Sequence, residues 1–165
     1  MPSSSAPSPS SALSAAPIRV DRTLLDHLPP ELSGITVEYS AEASEDAAGS
    51  GGLAGAESLA YAVAADDDHG YLAVATVLRP RAPGLDDSAF REIRDTYSSA
   101  ACESDGGLRG NGEGEIGGRL VHIGTCVAGS HTYATTLPGS GVIVLAFSRG
   151  DRRLGEELMA RLRDL

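Results

Sequence analysis

The chain has two cysteines, Cys102 and Cys126. Joining them would close the loop from residue 102 to residue 126, worth roughly 3 kcal/mol in the loop-entropy picture. Such a bond persists only in an oxidising compartment, so the pair bears on topology and location together. Two alternatives remain open at this level: a pair of unlinked buried thiols in a cytosolic protein, or a nucleophilic cysteine. Thr125-Cys126 matches no nucleophile signature, and Cys102 has no histidine near it in sequence.

The core must be aliphatic. Of 165 residues 41% are apolar, yet there is no Trp and Phe90 and Phe147 are the only Phe, so Ala, Val, Leu and Ile have to fill the interior. The length supports one domain. The expected organisation is a Ser/Pro/Ala tether over residues 1–19 and a single globular α+β domain over 20–165. Ser, Ala and Pro offer nothing to bury and keep the tether extended. The net charge of −10 repels phosphate backbones and anionic membrane surfaces, so no nucleic-acid partner is expected. No apolar run approaches the ~20 residues that span a bilayer; Val142 to Phe147, for example, is the size of a strand. There is no Lys or Gln and Asn111 is the only Asn, as in GC-rich genomes or heat-adapted hosts.

Periodicity and turn residues predict the element order. Asp21 to Leu28 reads as a short helix capped by Asp21, with Leu24, Leu25 and Leu28 on one face and His27 toward solvent. Ile35 to Tyr39 reads as a strand, and acidic, Gly-rich Glu42 to Gly52 as a loop. Ala-rich Leu53 to Ala65 reads as a helix, and Asp66-Asp67-Asp68-His69-Gly70 as its connection to the strand Tyr71 to Leu78. Asp86 to Ser99 is a helix capped by Asp86, with Leu85 and Phe90 as a hydrophobic staple. The glycines of Gly106 to Gly118 argue against regular structure throughout that stretch. Strands Arg119–Cys126, His131–Leu137 and Gly141–Ser148 follow, then a helix capped by Asp151 with Leu154, Leu158 and Leu162 as its stripe. This order predicts an α+β fold: an antiparallel sheet with a C-terminal three-strand meander and helices packed on it.

Few residues carry a chemical signature. As a strand, Arg119–Cys126 places Leu120, His122, Gly124 and Cys126 on one face. His122 and His131 flank the following turn and would approach each other if paired across it. With Cys126 they would make an enzyme site or a set of metal ligands, although their spacing fits no zinc motif. The Asp66–Asp68 run lacks the alternating ligands of a calcium loop. Gly106 to Gly112 lacks the Lys of a phosphate-binding loop. Glu113 and Glu115 share a face if that stretch is extended. Neither catalytic residues, a metal nor a cofactor is therefore assigned. If the domain holds a ligand, its expected lining is His122, His131, Arg109, Asn111 and Tyr133.

Arg94-Asp95-Thr96-Tyr97, Ala101-Cys102, Gly106-Gly107, Glu115-Ile116-Gly117-Gly118-Arg119, Ile123-Gly124-Thr125-Cys126 and Tyr133 together resemble uncharacterised secreted bacterial lipoprotein domains. The element order is similar in layout to PsbP-like domains, which serve as accessory or binding modules. The resemblance implies an extracytoplasmic, envelope-anchored domain with a Cys102–Cys126 bond, and the Ser/Pro/Ala tether adds the expectation of a lipid anchor upstream of Met1. Its partner would be a small ligand or an envelope protein. The function expected is non-enzymatic binding.

Overall fold

The computed structural model describes residues 17–81 and 86–165. In chain order it contains β1 (Arg19–Val20), a 3-10 turn (Arg22–His27), β2 (Glu31–Leu32), β3 (Ile35–Thr36), β4 (Glu38–Tyr39), α1 (Ala41–Gly49), β5 (Ala56–Asp66) and β6 (Tyr71–Pro80). Then come α2 (Asp87–Cys102), a short 3-10 turn (Glu103–Asp105), β7 (Leu108–Ile116), β8 (Arg119–Cys126), β9 (His131–Leu137), β10 (Val142–Arg149) and α3 (Leu154–Ala160). The main sheet runs β1-β5-β6-β10-β9-β8-β7, with β4 also on β5. It is antiparallel except where β1 joins β5. The fold is thus mixed α/β, mostly antiparallel, with few helices.

Residues 1–16 of the expected tether, and Leu85 of the expected staple, lie outside the described residues. Arg19, assigned to the tether, already belongs to the sheet.

Helices cover both faces, as the run of buried residues along β10 requires. On one face α3 and the Arg22–His27 turn bury Leu24, Leu28, Leu154, Leu158 and Met159 against Ala60, Ala62, Ala64, Ala73 and Ala75. On the other, α2 lays Tyr97, Phe90 and Ile93 on Leu59, Leu78, Ile143 and Leu145.

Three segments depart from the sequence reading. Leu53–Ala65 is not a helix: Ala56–Asp66 is a strand paired along β6. Its alanines alternate, and small residues on one face let the helical layer approach closely, so packing overrides propensity. Glu42–Gly52 is not a loop, because Ser40 accepts from the Ala43 N–H at 3.2 Å and starts α1. Buried Ser44 holds α1 to the sheet by accepting from the Tyr61 N–H at 2.9 Å. Gly106–Gly118 is largely regular, since Leu108–Ile116 forms β7. Here Gly110, Gly112 and Gly114 alternate with Asn111, Glu113 and Glu115 at the strand period of two.

Smaller differences concern the ends. The first helix is a 3-10 turn whose cap Asp21 accepts from Thr23 N–H at 3.0 Å. His27 does not face solvent: it is buried, and its Nδ1 donates to the Arg163 carbonyl at 2.7 Å. The run Asp66 to Gly70 joins two strands rather than a helix and a strand. The last helix begins at Leu154, preceded by Arg153 with φ 51°, not at an Asp151 cap.

The C-terminal tail closes the fold over the β9–β10 turn. Asp164 accepts from the backbone N–H of Gly139 at 2.8 Å and of Ser140 at 2.9 Å. These backbone bonds, with that of the Ser140 hydroxyl, hold its carboxyl below the usual range. Its stabilisation is therefore complete above the unfolded carboxylate pKa of about 3.9 and is lost as pH falls below it. Asp164→Ala is expected to destabilise at pH 7, with a difference from wild type that shrinks on acidification below about pH 4. Urea unfolding at several pH values checks this; a constant difference would contradict it.

Candidate functional site

Cys102 ends α2 and Cys126 ends β8; they form a disulfide with Cα atoms 5.1 Å apart. Both are buried beside Phe147. Backbone bonds from Val127 N–H to the Gly107 carbonyl and from Ala128 N–H to the Asp105 carbonyl, each 2.9 Å, extend the clamp. Asp105 also accepts from Ser130 Oγ and, at 3.0 Å, from Arg149. The C-terminal end of α2 is thus tied to the sheet, with Thr132 Oγ1 donating to Ser98 Oγ at 3.1 Å one turn earlier.

Toward its N-terminus α2 stands away from β7 and β8, leaving a cleft of about 560 Å³. Its helical wall carries Phe90, Arg91, Arg94 and Asp95; its sheet wall carries Asn111, Glu113, Leu120 and His122. Gly124 forms part of the lining, and any Cβ there would meet Thr132 Oγ1 and Leu108. Leu120, His122, Gly124 and Cys126 share one face of β8, as strand alternation predicts. Register places Glu113 beside His122 and Glu115 beside Leu120, so both carboxylates are on this face.

His122 is the most interactive group in the cleft. Its Nδ1 accepts from Arg94 Nη1 at 2.8 Å, lies 3.3 Å from Glu113 Oε1, and its ring tilts against Phe90 at 5.4 Å. Accepting at Nδ1 leaves the proton on Nε2. Burial first, then the Arg94 guanidinium, hold the imidazole below the ordinary histidine value of 6.5, against the pull of Glu113. An NMR titration should therefore place the His122 midpoint below 6.5. Arg94→Gln should raise the midpoint and Glu113→Gln lower it; no change in either variant would refute this assignment. Arg94 is also paired with Asp95 at 2.8 Å, whereas exposed Arg91 has no ion pair or hydrogen bond among the described residues.

Of the expected ligand residues, His122 and Asn111 line the cleft. Arg109 borders a shallower hollow with Asn111 and Thr125. His131 pairs with Thr125 and His122 with Ala134. An odd offset along β8 separates them, so the two histidines take opposite faces and do not meet. Cys126 is on the His122 face and does not meet His131 either. Tyr133 is buried, its ring against Gly155 of α3, away from the cleft. The sequence reading missed Phe90, Arg91, Arg94 and Leu120 as cleft residues. Strand alternation puts Leu120 on the His122 face, and the 3.6-residue period of Asp86–Ser99 sets Phe90, Arg91 and Arg94 on neighbouring positions of α2. That these two faces meet in a cleft follows only from where α2 crosses the sheet.

Among the described residues no group of three or more His, Cys, Asp or Glu side chains is placed to hold a metal ion. No helix among them is long and apolar enough to cross a membrane. A second hollow, about 580 Å³, lies at Pro80–Arg81 and Pro138–Val142, where Arg79 is committed to the Ser140 carbonyl at 3.1 Å. The chain matches no protein-family model, no curated protein and no solved structure.

Proposed function

We propose that the chain is a non-enzymatic, extracytoplasmic binding domain of a bacterial surface lipoprotein. Its Ser/Pro/Ala segment serves as the tether, and its α2–β7–β8 cleft receives a small ligand or an envelope protein. The observation that carries this reading is the cleft itself: an apolar strip (Phe90, Leu120) beside Arg91, a guanidinium without a partner among the described residues, and a donor-presenting His122. Concave sites that combine apolar walls with a few convergent polar groups are the usual form of a binding site. The disulfide supports the location, because such bonds are characteristic of oxidising compartments. It also takes Cys126 out of nucleophilic chemistry, which leaves the enzyme alternative without its reactive atom.

The test is a screen of small organic probes, aromatic carboxylates and aromatic amines included, by amide NMR on the oxidised protein. Shifts clustered on Phe90–Ser98 and Glu113–Gly124 are expected, with loss of carboxylate binding in Arg91→Gln. Shifts clustered elsewhere, or none, would overturn the cleft as the recognition site.

A further inference from the structure

β7 is the last strand of the sheet, and among the described residues nothing pairs with its outer edge. Gly117 and Gly118, with φ of 60° and 80°, join it to β8 as a two-residue turn of the type that requires positive φ at both positions. In such a hairpin the residues flanking the turn, Ile116 and Arg119, exchange hydrogen bonds, and bonding alternates along the ladder. Gly114 and Gly112 therefore bond to β8, while Asn111, Glu113 and Glu115 direct their N–H and C=O groups outward. The same three residues are exposed and carry their side chains on the cleft face.

Natural edge strands are normally blunted by charged side chains, Pro, a bulge or a covering segment, and on β7 the charges are Glu113 and Glu115, which disfavour any added strand that does not bring cations. β7 has its irregularity at one end, between Leu108 and Gly110, and leaves the outward-bonding stretch Asn111–Glu115 open. Among the described residues neither carboxylate on that stretch is paired with an arginine, and Glu113 Oε1 has only His122 Nδ1 near it, at 3.3 Å. We propose, resting on the cleft as the recognition site, that the partner is an extended basic peptide segment that adds to β7 as a further strand. Cations at alternate positions would lie opposite Glu113 and Glu115, and the strand itself about 4.8 Å beyond β7. Opposite charges directly across a strand pair are favourable and like charges are not. A second copy of the chain suits this edge poorly. Registers that set Glu113 against Glu113 or Glu115 oppose like charges, and each copy adds a net charge of −10. That same charge steers a basic segment toward the protein.

The probe is the peptide acetyl-Val-Lys-Val-Lys-Val-amide, compared with the same peptide N-methylated at both lysine backbone nitrogens. Methylation keeps the charge and removes the donors that would face β7. With the parent peptide, the amides of Glu113 and Glu115 should become protected from hydrogen exchange. Affinity should fall at least about tenfold on N-methylation and in the Glu113→Gln/Glu115→Gln protein, corresponding to a loss of about 1.4 kcal/mol. Equal binding of both peptides, indicating attraction of charge alone, would overturn the proposal. So would absence of binding, or protection of these amides in the free protein that rises with protein concentration, indicating a second copy on the edge. If the peptide fails while small probes still cluster in the cleft, the binding reading stands without its peptide partner. If both fail, the cleft is not the site.

Discussion

Replacing Cys102 and Cys126 together by alanine is expected to lower stability by roughly 3 kcal/mol, the loop-closure entropy returned to the unfolded chain. For a domain of this size that corresponds to a fall in Tm of roughly 6–12 °C. The effect should be near the full value because both sulfurs are buried and Phe147 packs against them, so the variant also loses packing. The hydrogen bonds around Asp105 and Ser130 remain, which should keep the fold intact at 25 °C. The functional consequence follows from position. The bond fixes α2 at the end opposite the cleft mouth, so the variant should bind cleft probes more weakly even where it is fully folded. Urea unfolding with and without reductant measures the first effect and NMR titration the second. A loss below about 1 kcal/mol would mean that the α2–β8 clamp is held by other contacts.

Gly155→Val should be comparably damaging, at about 3 kcal/mol or more. Gly155 lies at the start of α3 directly on the ring of Tyr133, and a Cβ there would overlap that ring and come within 2.8 Å of Ser148 Oγ. Neither neighbour has room to yield, since Tyr133 is 1% and Ser148 2% exposed. The helix would have to lift, uncovering Leu154 and Leu158, which are 0% and 1% exposed. The damage should be confined to the α3 face, with chemical shifts of Phe90, Arg94 and His122 little changed. Thermal unfolding of Gly155→Ala and Gly155→Val gives the test, and a near-neutral alanine variant would show that α3 slides to accommodate a methyl group.

Where side-chain pattern and backbone demand agreed, the elements were legible in the sequence. The α2 helix shows its cap and period at Asp86 to Ser99, and β8, β9 and β10 are separated by turns of Gly, Ser and Pro. β5 was not legible as a strand, because alanine carries a strong helical propensity and its need to be small appears only once α3 and the Arg22–His27 turn lie over it. Glycine hid β7 in a similar way: alternation with polar residues gives the strand period but none of the β-branched or aromatic signal. The cleft was half legible. The face carrying Leu120, His122 and Cys126 follows from alternation, whereas the separation of His131 from His122 depends on the β8–β9 register. A one-residue change in register moves every side chain to the other face. The Arg91–Arg94 wall depends on where α2 crosses the sheet, which no local pattern encodes.

Among possible measurements, a free-thiol count on denatured, unreduced protein recovered from an oxidising compartment bears most directly on the proposal of a disulfide-tied extracytoplasmic binding domain. It is read as intact mass before and after alkylation. No alkylation is expected, with a mass short of the reduced chain by two hydrogens. Two alkylated cysteines would contradict that proposal, removing the clamp that holds α2 against β8 and the ground for placing the domain outside the cytoplasm.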